Sequence, residues 1–97
     1  MKGEIFITNS IEKNKKFYVL VNEREFFGTG IEIINEVRKH RFLGSDIELS
    51  DFILEIQQNV FRLYGKGITI PNNLSLEEKA SLLVQQLIHH GLLLEIE

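Results

Sequence analysis

Ninety-seven residues, 43% apolar and 26% charged, suit one globular core and exclude a two-domain chain, a fibrous repeat and a disordered segment. The net charge of −3 provides no general pull toward nucleic acid, because that pull scales with the phosphates that Lys and Arg neutralise. The lack of cysteine excludes disulfide frameworks, thiolate nucleophiles and Cys-based metal centres.

The longest apolar run, Phe17 to Val21, is five residues, whereas a membrane-spanning helix needs ~20. The opening Met1-Lys2-Gly3-Glu4 has no apolar leader core behind it, so the sequence predicts a soluble, cytoplasmic chain without membrane contact. Thirteen Ile and thirteen Leu stand beside a single Ala, Ala80. Ala is the best helix former, so its scarcity has no structural reason and points to the codon bias of an AT-rich genome, that of a low-GC bacterium or its phage. Residues 1–49 are neutral, and the whole acidic excess falls in residues 50–97.

Taken in chain order, Glu4–Asn9 and Lys16–Asn22 are rich in β-branched and aromatic residues and predict two strands, joined by the polar stretch Ser10–Lys15. Asn22-Glu23-Arg24 predicts a tight turn into a further strand at Glu25-Phe26-Phe27. The result is an antiparallel meander of two or three strands, too small to be stable unless helices cover one face.

Thr29 and Glu32 form a T-x-x-E capping box, after which Ile31, Ile34 and Val37 recur at helical period, with Ile33 widening the stripe and Gly44 as the stop. A second helix is predicted from Ser50 to Gly65, with Phe52, Ile53, Ile56, Val60, Leu63 and Tyr64 on its apolar side. Gly67-Ile68-Thr69-Ile70-Pro71 reads as a short strand closed by proline. Ser75 and Glu78 repeat the capping box for a third helix, which continues to Gly91, and Leu92–Ile96 reads as a last strand. The Leu92-Leu93-Leu94 triplet does not alternate, which suggests a strand covered on both faces, inside the sheet or in a subunit contact. The expected fold is a single α+β domain over 1–97: an N-terminal antiparallel meander packed against about three helices, with short C-terminal strands joining the sheet.

Chemistry is sparse. Gly28-Thr29-Gly30 lies where a strand feeds a helix, a place suited to an anion, but Ile33 stands where a dinucleotide fingerprint needs its third glycine. Gly65-Lys66-Gly67 lacks the Ser or Thr that a phosphate loop places after its lysine. Arg38-Lys39-His40-Arg41 is the densest positive run, at a helix C-terminus where cations are favourable. With Lys13, Lys15 and Lys16 on the hairpin tip it could form one anion-binding patch. His89 and His90 point ~100° apart on a helix and cannot chelate one ion, and Glu36 with His40 is two ligands short of a site, so no metal and no cofactor is expected. Neither a nucleophile elbow nor a triad signature is present.

The expectation is a small non-enzymatic binding protein acting by self-association, as a homo-oligomer, and by occupation of a protein partner. A phage-encoded inhibitor of a host enzyme is one form of this. The interface candidates are Phe26, Phe27, Phe42, Leu92, Leu93 and Leu94. The alternative is an anion binder holding a nucleotide or a nucleic-acid segment through Arg38, Lys39 and Arg41, with the amides around Thr29 and Gly30 as auxiliary donors.

Overall fold

A computed structural model describes residues 14–21, 23–40 and 46–96. The elements run β1 (Lys16–Val21), β2 (Arg24–Thr29), α1 (Gly30–Lys39), α2 (Leu49–Tyr64), α3 (Leu76–His89) and β3 (Leu94–Glu95). The three strands form one antiparallel sheet in the order β2-β1-β3, and the helices pack against it in an α+β fold. The strand expected at Glu4–Asn9 lies outside the described residues.

β1 and β2 pair in continuous register from Lys16 opposite Thr29 to Val21 opposite Arg24, so two residues connect them. That tight connection forces Glu23 to φ 69°, a left-handed conformation that non-glycine residues rarely adopt. β1 alternates as a central strand should, with Phe17 and Val19 buried on the helix side.

Both predicted capping boxes are present. Thr29 Oγ1 accepts from Glu32 N while Glu32 Oε1 accepts from Thr29 N, and Ser75 and Glu78 repeat the exchange at α3. α1 ends sooner than Gly44, at Lys39 with His40 as C-cap. α3 stops in a Schellman arrangement: Gly91, at φ 78°, donates to Ile88 O and Leu92 donates to Leu87 O.

The core gathers Phe17 and Val19 of β1, Ile33 and Ile34 of α1, Phe52, Ile53 and Val60 of α2, and Ala80, Leu83, Val84 and Leu87 of α3. α3 is the central helix, with a run of buried residues from Ala80 to Val84. Gly30 sets the crossing of α1 over α3. A Cβ there would lie 2.5 Å from Ser81 Cα and 2.6 Å from Ser81 N, so only glycine lets the two backbones approach this closely.

Three expectations are corrected. Leu63 and Tyr64 do not reach the core: they are 63% and 58% exposed, because the last turn of α2 runs past the elements it packs on. Among the described residues Gly67–Pro71 joins no ladder. Its backbone is met by side chains instead: Gln86 accepts from Thr69 N and donates to Thr69 O, Gln57 donates to Ile68 O, and His90 Nε2 bonds Gly67 O. Among the described residues the leucine triplet is not an internal strand either. Among those residues β3 is a two-residue edge of which both members are exposed, Leu94 by 60%, while Leu93 before it is buried.

Candidate functional site

Residues directly opposite in an antiparallel pair share a face, which fixes the two sides of the sheet. Phe17, Val19, Phe26 and Gly28 point toward the helices. Lys16, Tyr18 and Leu20 of β1, with Glu25 and Phe27 of β2 and Leu94 of β3, take the other side. Among the described residues no element covers this outer face, and Phe27 is 69% exposed upon it.

The face is ordered by its own contacts. The Tyr18 and Phe27 rings meet edge to face at 6.0 Å and 85°. Leu20 stands between Leu94 on one neighbouring strand and Glu25 on the other. The Tyr18 hydroxyl donates to Glu25 Oε1 at 2.6 Å, and Ile96 N donates to Tyr18 O at 2.7 Å, which extends the seam beyond β3. Tyr18 keeps its proton to higher pH than an ordinary phenol, first because that proton is bonded to Glu25 and then because the carboxylate charge opposes ionisation. The outcome is an apolar band of Phe27, Tyr18, Leu20 and Leu94, with Lys16 beyond Tyr18 on β1 and Glu25 beside Leu20 on β2.

The other exposed apolar residues are arranged differently. Leu54 and Phe61 are seven apart and share one side of α2, whereas Leu63 lies two residues beyond Phe61, ~200° around the helix. Tyr64, 58% exposed and three residues beyond Phe61, falls on the same side as Leu54 and Phe61, so these three form a stripe along α2 from which Leu63 stands apart.

The structure separates the interface candidates. Phe27 and Leu94 share the outer face, on either side of β1. Phe26 is half-buried on the inner face, its ring 6.1 Å from that of His40, and Leu93 lies in the core. Leu92 packs partly buried against that core, and Phe42 lies outside the described residues. Tyr18, Leu20 and Glu25 were not named, and Lys16 was named only for the anion patch. The signal for Tyr18 and Leu20 is the unbroken apolar run Phe17 to Val21, which leaves neither side of β1 polar.

The anion candidates have partners of their own. Arg38 donates through Nε and Nη2 to Asn35 Oδ1 at 3.1 and 2.7 Å, and through Nη1 to Ile47 O at 2.8 Å, which ties the end of α1 to the approach to α2. Lys39 pairs with Glu36 at 3.2 Å. The Thr29 amide is bonded to Glu32, and that bond holds the Glu32 carboxyl below the usual carboxylate range. Gly30 is packed on Ser81. Lys15 lies 5.5 Å from the Phe17 ring centroid, and Arg41 and Lys13 lie outside the described residues.

A cleft of ≈ 230 Å³ opens beside the first turns of α2, lined in part by Asp51, Ile70, Asn72 and Lys79. Among the described residues no group of three or more His, Asp or Glu is placed to hold a metal ion, and no helix is long and apolar enough to cross a membrane. Comparison with family models, curated proteins and solved structures finds no match.

Proposed function

We propose that this chain is a small, non-enzymatic binding protein whose working surface is the outer face of its sheet, and that it acts by occupying a protein surface, its own or another's. The observation that carries the reading is the contiguity of Phe27, Tyr18, Leu20 and Leu94 on one rigid face, with Phe27 and Leu94 69% and 60% exposed. Single exposed apolar side chains are ordinary, whereas apolar side chains gathered on one sheet face offer a partner a continuous contact, here of modest size. The ladder fixes the backbone positions of these residues before a partner arrives, which lowers the ordering cost of binding.

The non-enzymatic part rests on the sequence, which lacks a nucleophile with a base in register. Cytoplasmic location and a bacterial or phage source likewise rest on composition alone. An anion-binding role has less support, because the Arg38 guanidinium already holds Asn35 and Ile47, and the Thr29 amide already holds Glu32.

The test is the double variant Phe27→Ser/Leu94→Ser. Exposed positions outside the core change stability by only ~0.5 kcal/mol, so the variant is expected to unfold at nearly the parent's urea concentration. By sedimentation velocity and native mass spectrometry it should lose the assemblies the parent forms, whether with itself or with proteins of its host. A variant that keeps them all, or one whose stability collapses, would contradict the reading.

A further inference from the structure

We infer that the occupant of the outer sheet face is a second copy of this chain, packed face to face about a two-fold axis that runs across the strands. The inference rests on the contact role proposed above and names its partner. The ground for it is the distribution of charge along the face. Lys16 stands two residues before Tyr18 on β1, and Glu25 stands level with Leu20 and Leu94, two residues beyond it, so the cation and the carboxylate lie on opposite sides of the Tyr18–Phe27 pair. A two-fold axis across the strands through the Tyr18–Phe27 pair reverses the strand direction of the second copy. It brings Lys16 of each copy over Leu20 of the other, beside Glu25 on the neighbouring strand, while Phe27 meets Phe27 and Tyr18 meets Tyr18. The surface is therefore complementary to itself, as a two-fold interface must be.

Two details suit that pairing. The Tyr18 hydroxyl holds Glu25 at 2.6 Å, so the carboxylate is already fixed over the face. Among the described residues Lys16 forms no ion pair, and its influence on Glu32 is the smallest of those acting on that carboxyl. The opposite arrangement, with strands of the two copies parallel, would set lysine against lysine and glutamate against glutamate.

Two strands of six residues and one of two, at ~4.8 Å spacing and ~3.3 Å per residue, give a face of roughly 220 Å² per copy. This is well below the ~800 Å² per partner of a standard stable interface, so the dimer is a weak one that forms and dissociates with concentration.

The experiment uses the full chain, with a benzophenone-bearing phenylalanine in place of Phe27 and an equal mixture of ¹⁵N-labelled and unlabelled protein. Irradiation should give mixed-mass dimers cross-linked to residues 16–27 of the other copy. Sedimentation of Lys16→Glu and of Glu25→Lys should show dissociation constants about three- to tenfold weaker than the parent's, and the double reversal should restore it. Cross-links within one chain, to residues 1–13, would overturn the inference by giving the face to the chain itself. Cross-links only to a different protein recovered from the host would also overturn it, while leaving the contact role of the face intact. No cross-link to any protein would remove both.

Discussion

The side-chain amide of Gln86 bonds both backbone groups of Thr69, accepting from its N–H at 3.0 Å and donating to its C=O at 2.7 Å. A residue on α3 thus supplies to residues 67–70 the pair of hydrogen bonds that a neighbouring strand would supply. Gln86 is 7% exposed, so the amide is also the means by which a buried polar group of α3 is satisfied.

Replacing that amide removes two hydrogen bonds. Gln86→Leu should cost about 1–3 kcal/mol in urea unfolding and speed hydrogen exchange of the Thr69 amide more than that of the Phe17 amide. Gln86→Glu should cost more, because it keeps the acceptor for Thr69 N–H but brings a carboxylate against Thr69 O. Equal stability of parent and Gln86→Leu would show that the two bonds contribute nothing.

Gly30 is tested by the smallest side chain. Gly30→Ala places a methyl within 2.6 Å of Ser81 backbone atoms, so α1 and α3 must separate. Overpacking of this kind costs about 1–3 kcal/mol, against the gain of up to ~1 kcal/mol that alanine brings to an ordinary helical site. A net rise in melting temperature would mean that the crossing is not close.

At the β1–β2 turn the expected change is favourable. Glu23 sits at φ 69°, where glycine is unstrained and where Asn-Gly is the preferred two-residue turn. Glu23→Gly should raise stability by about 0.5–1 kcal/mol, read from the denaturation midpoint. A loss of stability would show that the glutamate side chain contributes more than the backbone strain costs.

Two groups link stability to pH, with opposite signs. The carboxyl of Glu32 is held below its ordinary value of 4.5 by the Thr29 N–H, so its contribution is present above that value and is lost as the pH falls through the lowered one. Tyr18 is raised above 10.0 by Glu25, so its contribution is full below that value and fades as the pH rises through the higher one. Glu32→Gln should flatten the acid limb of the stability profile and Tyr18→Phe the alkaline limb. Profiles that superimpose on the parent's would separate both groups from folding.

The helix starts were legible because a capping box is written within four residues: Thr29 with Glu32, and Ser75 with Glu78, bond as their spacing requires. The end of α2 at Gly65 was legible for the same local reason, a left-handed glycine cap. What could not be read was anything decided at long range. Residues 67–70 have the composition of a strand, but whether a ladder or the Gln86 amide meets them depends on where α3 lies. Leu63 keeps the period of the α2 stripe, but the stripe does not say how far along the helix the core extends. Of the candidate surface, Phe27 and Leu94 were named from sequence as separate aromatic and leucine clusters. Their common face exists only because β1 lies between β2 and β3, which brings Tyr18 and Leu20 into the band with them.

The central claim, that the outer sheet face is a contact surface, is most directly tested by NMR with a soluble paramagnetic probe over a dilution series. Tyr18, Phe27 and Leu94 should be shielded from the probe at high protein concentration and become accessible on dilution, or be shielded when a host partner is added, while Phe61 and Leu63 stay accessible throughout. Full accessibility of Phe27 and Leu94 under every condition, with shielding confined to Phe61 and Leu63, would contradict the account.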